Sequence, residues 1–436
     1  MTDSVRYFDH AATTPMRQVA VDAWAEHAHL LNPGGQYASG RAANAVLAQA
    51  RETVAEILGA DPVEVIFTAS GTEADNLAIR GLFRTAQDAG SPGCNRIIST
   101  PIEHPAVRET VTDLMKMGAE VNLLPVGADG LVRVGDASAA TFDAAVDPAV
   151  AAPAEAATAE AALVAAAALD TPAAVATCMW ANNETGVIQP VRDIVARANA
   201  AETPVHVDAV QVVGHLPVDF HALGATTLAA SAHKFGGPRG AGILLAKRSP
   251  VPASVMTGGG QQRGIRPGTV DVASAAATAA ALKEAVSEMG AEAKRLSALR
   301  DRLVTEVVRT IPGARATVLT APATATGLSE TGSGGQARNP KVDVLPGHAH
   351  FTFPGANGDA MIMLLDSMGI EASTGSACNN GVNQRSHVLE AMGLPDDHVD
   401  GALRFTLGRT TTDEDVQFLL GRLPEVIGKA RDVAML

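Results

Sequence analysis

The chain has 436 residues, 47% hydrophobic and 18% charged, enough to bury a large interior and to divide into two domains. A formal net charge of −14 repels phosphate backbones and anionic lipid surfaces, so nucleic acid and membrane are set aside as direct ligands. Three cysteines, Cys94, Cys178 and Cys378, form an odd and scattered set, which argues against a disulfide framework and for a reducing compartment.

The first residues, MTDSVRYFDH, lack the basic start and apolar run of a secretory signal. No apolar stretch of about 18 residues is free of charge or proline. The Ala-rich stretch near 150–170 is broken by Pro153, Glu155, Glu160 and Asp170, and a cytoplasmic protein is expected. Residues 64–68 read as a strand, and Ala74, Leu77, Ala78, Gly81 and Leu82 then fall at helical spacing. Further strands are expected at 96–100, 175–180, 205–208, 227–230 and 242–246. Several are almost wholly apolar, as strands buried on both faces of a parallel sheet must be. Strand alternating with helix predicts an α/β fold with a mainly parallel sheet covered by helices.

After residue 270 the pattern changes to helices at 273–287 and 291–311, a strand at 350–353, and helices at 358–368 and 412–431. A large domain over 16–268 and a smaller α+β domain from 1–15 with 269–436 are expected. Segments 137–172 and 314–345, rich in Ala, Thr, Gly and Ser, read as low-complexity insertions on the surface.

Five short segments carry chemistry. In Ser231-Ala-His-Lys234, a lysine directly follows a buried strand, where an α/β sheet places its ligands and where a desolvated amine condenses with carbonyls. In His206-Val-Asp-Ala-Val-Gln211, Asp208 ends a strand and can pair with a protonated ring nitrogen; its plainer role is a helix cap. Ser70-Gly-Thr-Glu73 lies between strand and helix and suits a phosphate, though the same pattern is also an ordinary cap. His104 follows another strand, in position to stack on a flat ligand and move protons. Cys378 lies between Gly375 and Gly381 in a polar, turn-rich segment, with Arg385 and His387 nearby in sequence to lower its thiol pKa. Cys94 and Cys178 lack that context and read as structural. No dinucleotide GxGxxG, Walker A or HExxH pattern occurs.

Taken in order, these segments resemble the cysteine desulfurases, fold-type I pyridoxal-phosphate (PLP) enzymes related to class V aminotransferases. The likeness runs from Tyr7-Phe-Asp-His-Ala-Ala-Thr-Thr-Pro15 to Leu403-Arg-Phe-Thr-Leu-Gly-Arg409, by way of Trp180-Ala-Asn-Asn-Glu-Thr-Gly186 and Gly258-Gly-Gly-Gln-Gln-Arg-Gly264. It implies that Lys234 holds PLP and moves the substrate's α-proton, with His104 stacked on the ring. Asp208 would pair with the ring nitrogen and Gln211 with the phenolic oxygen. Thr72, Ser231 and His233 would bind the phosphate, joined by Thr269 from the second subunit of a homodimer. Asn183 and Arg404 would hold the substrate carboxylate. Cys378 would take sulfur from L-cysteine as a persulfide, leaving L-alanine, and pass it to a protein acceptor in iron–sulfur assembly or tRNA thiolation. The SGSAC-like cysteine loop, without a large apolar insertion, matches the branch that serves those two pathways. No metal is implied. Tyr37, Gln262 and Pro267 depart from the usual residues, and Pro267 is expected to affect the dimer-facing loop. A selenocysteine lyase, or another class V relative that does not use Cys378, is the alternative outcome on the same cofactor.

Overall fold

The computed structural model describes residues 5–135, 167–318, 342–376, 378–379, 382–383 and 385–434. The strands, in chain order, are β1 (Arg6–Tyr7), β2 (Val65–Thr68), β3 (Arg96–Ser99), β4 (Glu120–Leu123), β5 (Val175–Met179), β6 (Val205–Asp208) and β7 (Thr227–Ser231). They continue with β8 (Gly242–Ala246), β9 (Arg315–Ala316), β10 (His348–Thr352), β11 (Ile370–Glu371), β12 (Cys378–Asn379), β13 (Val382–Asn383) and β14 (Ala402–Thr406).

Seven strands form the main sheet, in the order β2-β8-β7-β6-β5-β3-β4. Only β8 runs against the rest, pairing antiparallel with both β2 and β7. Strands β2, β5, β6, β7 and β8 are buried along their whole length, which explains why β2, β5 and β8 read as mainly apolar runs; β6 (VHVD) is the exception, its two polar side chains buried as well. The edge strand β4 (EVNL) alternates polar with apolar over only four residues and is largely exposed, a pattern too short to stand out in the sequence.

The helices Gly71–Ala89, Pro105–Lys116 and Val191–Ala200 connect successive strands, and their inward faces carry Leu77, Ile79, Val107, Leu114, Ile194 and Ala198. Helix Gly71–Ala89 begins at Ser70, whose side chain accepts from Glu73 N, and ends at Gly90 in the left-handed region.

A second core surrounds the antiparallel sheet β14-β10-β9. Phe8, Phe351 and Phe405 are fully buried there, with ring centroids of Phe351 and Phe405 6.1 Å apart. The start of the chain joins this unit: β1 pairs parallel with β11, and Asp9 bridges Thr406.

One expectation needs correction. The two helices read at 273–287 and 291–311 are a single 39-residue helix, Val272–Thr310. Gly290 lies within it without breaking it, since an exposed mid-helix glycine costs only about 1 kcal/mol. The helix packs Ala277, Ala281 and Leu282 against the first core and Leu296, Leu303 and Val307 against the second, so it spans both.

The insertions read at 137–172 and 314–345 fall mostly outside the described residues, but their ends are ordered. Leu169 is buried in the first core, β9 pairs with β10, and Val342 and Leu345 are buried. Among the described residues, no helix is long and apolar enough to cross a membrane.

Candidate active site

A cavity opens at the carboxyl edge of the main sheet, where ligands of open α/β sheets gather. The connection after β2 brings Ser70, Gly71 and Thr72 to its wall, and the connection after β3 brings His104. Asp208 stands at the end of β6, Ser231 at the end of β7, and Lys234 one short turn later. Asn183, Gln211 and His233 complete this part of the wall. Residues far apart in sequence meet because the strands that carry them are parallel.

Lys234 is poised as an amine. Its Nζ donates to the carbonyls of Ala11 (2.6 Å) and Ala12 (2.9 Å), and burial, followed by the Arg404 charge, brings its pKa down to about 8. The imidazole of His215 meets the Lys234 carbonyl at 3.0 Å and steadies the turn. Asp208 also lines the cavity and accepts from Val210 N at 2.9 Å. Burial, then the neighbouring Asp75 carboxylate, pushes the Asp208 carboxyl up to about 7.

His104 caps helix Pro105–Lys116, its Nδ1 accepting from Ala106 N at 3.1 Å. Burial, then Lys234, pulls it down to about 4, so the ring is neutral with its proton on Nε2. Gln211 donates through Nε2 to Ala11 O at 3.1 Å, and His233 Nδ1 meets Thr13 Oγ1 at 3.1 Å. The segment Phe8–Pro15 thus ties three wall residues together through its backbone and Thr13.

The wall fits a flat, phosphorylated, carbonyl-bearing pyridine such as PLP. It offers an amine of lowered pKa, a buried carboxyl and a neutral imidazole, and at one end the N-terminus of helix Gly71–Ala89 with hydroxyls from Thr72 and Ser231. Gly71 allows close approach there: a Cβ on it would stand 2.7 Å from Val210 Cγ2 and 3.2 Å from Ser231 Cβ.

Two expected residues stand apart from this wall. Arg404 on β14 is buried behind Asn183, with Nη1 donating to Asn183 O (2.6 Å) and Nη2 paired with Asp9 (2.6 Å). Its position beside Asn183 matches the expectation, but its two terminal nitrogens already have partners. Thr269 is exposed and does not line the cavity.

The backbone of Cys378 lies in a short antiparallel hairpin, β12 paired with β13, rather than in an irregular loop; its side chain lies outside the described residues. The proposed helpers of the thiol are committed elsewhere. Arg385 pairs with Asp400 (2.8 Å) and Asp396 (3.0 Å), and His387 Nε2 meets Glu103 O at 3.0 Å. Cys178 is fully buried and its thiol is pushed well above its usual range by burial, in keeping with a structural role. Gln262, one of the unusual residues, is buried against Phe67 O and Arg51, while Pro267 packs where a Cβ on Gly258 would sit.

The sequence reading assigned no role to Asp75, Glu103 or His206. Each is fully or almost fully buried near Asp208. For His206 a signal existed: two residues before Asp208 on a strand, it shares that residue's face.

The lysine and carboxyl at the strand ends define a class of protein, and the comparisons agree. The sequence model of the family described as aminotransferase class-V matches residues 6–152 and 155–328. An "IscS-like cysteine desulfurase" of Mycobacterium tuberculosis is 41% identical over 98% of both chains. The "Cysteine desulfurase NifS" of Azotobacter vinelandii is 30% identical, over 98% of this chain and 94% of its own. Among solved structures, a "NIFS-LIKE PROTEIN" superposes with a TM-score of 0.78 at 30% identity, covering 98% of this chain and all of the other. "SspA in complex with cysteine" does so at 0.69 and 26% identity, covering 92% and 98%. The chain belongs to the class-V aminotransferase family, and within it to the cysteine desulfurases.

Proposed function

We propose that this protein is a PLP-dependent cysteine desulfurase, which converts L-cysteine to L-alanine and holds the released sulfur as a persulfide on Cys378. The observation that carries the reading is the meeting of Lys234, Asp208 and His104 in one cavity at the carboxyl edge of the sheet, with Ser70–Thr72 in the same wall. When bound, the cofactor supplies a conjugated cation that accepts the electron pair left when the α-proton is removed.

The protein's residues do the rest. Lys234, with its pKa lowered to about 8, anchors the cofactor and then takes the α-proton as a free amine. Asp208 would keep a proton on the ring nitrogen of the bound cofactor, and neutral His104 would lie against the ring with its Nε2 proton available. Gln211 orients the phenolic oxygen. Thr72, Ser231 and His233 bind the phosphate, and Thr269 does so from the second subunit of a homodimer. Asn183 and Arg404 receive the substrate carboxylate, Arg404 exchanging the Asp9 carboxylate for it.

The chain is read as a 16–268 unit and a smaller one formed by 1–15 with 269–436; the separate core around β14-β10-β9 supports the smaller unit, while Val272–Ala285, Val388 and Leu389 pack into the first core. The acceptor is read as a protein of iron–sulfur assembly or tRNA thiolation, and the acidic chain as cytoplasmic.

The direct test is production of alanine from L-cysteine by the purified protein. No alanine, with PLP bound, would refute the reading. Arg404→Ala should raise KM for cysteine about 10- to 100-fold with a smaller effect on kcat, the effect of losing a charge-assisted hydrogen bond of about 1.5–3 kcal/mol. Arg404→Lys separates this from the cost of stranding Asp9, because it keeps the charge beside that carboxylate. Gly71→Ala should weaken PLP retention about tenfold, measured by equilibrium dialysis, because the added methyl crowds Val210 and Ser231.

A further inference from the structure

Beneath the cavity lies a buried polar chain that the proposed chemistry does not use. His206 and Asp208 are two residues apart on β6 and share a face of that strand. Asp75, from the first turns of helix Gly71–Ala89, meets His206 Nε2 at 3.0 Å. His206 Nδ1 meets Thr227 Oγ1 on β7 at 2.9 Å. Asp75, His206 and Thr227 are 1%, 0% and 0% exposed, so the chain is closed to solvent, while Asp75 and Asp208 both contribute to the cavity wall.

We propose that Asp75 and His206 share one exchangeable proton and so set the charge beside Asp208, which makes both of them positioning residues for the reaction. This rests on the reading of Asp208 as the partner of the ring nitrogen.

The geometry allows two arrangements without moving a heavy atom, because the Thr227 hydroxyl can either accept or donate. In the first, protonated Asp75 donates to His206 Nε2, and His206 Nδ1–H donates to Thr227 Oγ1. In the second, one proton has left for solvent and the remaining imidazole proton sits on Nε2. Asp75 is then a carboxylate accepting from Nε2–H, and Thr227 donates to Nδ1. The pair is neutral in the first arrangement and carries one negative charge in the second.

Asp208 is faced by Asp75 from the helix, by His206 from its own strand, by Glu103 and Cys178 from the β3 and β5 side, and by Lys234 beyond β7. Burial pushes Asp75 up to about 8, which puts the exchange near physiological pH. Burial pushes Glu103 and Cys178 well above their usual ranges, and it is Asp75 that hydrogen-bonds His206. Asp75 is therefore the neighbouring acid that changes charge. Once anionic, it strengthens retention of the proton held between Asp208 and the ring nitrogen.

The test uses holoenzyme loaded with PLP whose ring nitrogen is isotopically labelled, and the nitrogen chemical shift is followed against pH. Asp75→Asn, which keeps the shape but cannot become anionic, should lower the midpoint of ring-nitrogen deprotonation by about one pH unit with PLP content unchanged. Asp208→Asn serves as the control. A midpoint unmoved in Asp75→Asn but displaced in Asp208→Asn overturns the proposal alone. A midpoint unmoved in both overturns it together with the assignment of Asp208.

Should Asp75→Asn not fold, wild-type holoenzyme with labelled histidine decides the matter. The two ring nitrogens of His206 should exchange donor and acceptor roles through the titration, and a tautomer fixed throughout overturns the proposal.

Discussion

Lys234→Ala protein should purify without the yellow colour of bound PLP and should release no measurable alanine from L-cysteine, a loss of roughly ten-thousand-fold or more. The size follows from two roles in one atom. Nζ is the group proposed to condense with the cofactor and, once freed, to take the α-proton. The same nitrogen makes a prediction about pH. Condensation needs the uncharged amine, and burial has lowered the pKa of Lys234 to about 8. The rate at which apoprotein takes up PLP should therefore climb as pH rises towards about 8 and level off above it. A stopped-flow record of the visible band checks this, and a rate still climbing well above that pH would mean an unperturbed lysine.

Cys378→Ala should separate cofactor from sulfur chemistry. The described cavity wall is built from other residues, so the variant should keep its colour and PLP content. Alanine formation from cysteine should fall by at least roughly a thousandfold, because the thiol proposed to accept sulfur is gone. Mass spectrometry of wild-type protein after brief exposure to cysteine should find one added sulfur on the peptide that contains Cys378. A variant that keeps wild-type turnover would instead mark a class V relative that does not use this cysteine. The neighbouring charges matter less than sequence proximity suggests: Arg385 is held by Asp396 and Asp400, so Arg385→Ala should leave the Cys378 thiol reactivity close to wild type, as read by alkylation rate against pH.

Much of this architecture was legible before any coordinates. Strands such as β5, β7 and β8 announce themselves because burial on both faces demands uninterrupted apolar residues. Lys234, Asp208, His104 and the Ser70–Thr72 turn were legible because each sits where a strand ends, the edge at which parallel sheets present ligands. What misled was local. Gly290 looked like a break between two helices, but packing against both cores carries the long helix through it. Nor could the sequence show that Arg385 pairs with Asp396 and Asp400, or that His387 meets the Glu103 carbonyl.

Burial pattern and strand-end position are properties of short segments, so composition and order specified the α/β class and the strand ends at which Lys234 and Asp208 stand. Contacts between distant segments are not encoded in any one of them. That Ala11 and Ala12 receive the Lys234 amine, that Asp9 holds Arg404, and that Asp75 reaches His206 beneath Asp208 emerged only from the packed chain. Pairing partners and desolvation, which together set the charge of a buried group, depend on what folding brings near it.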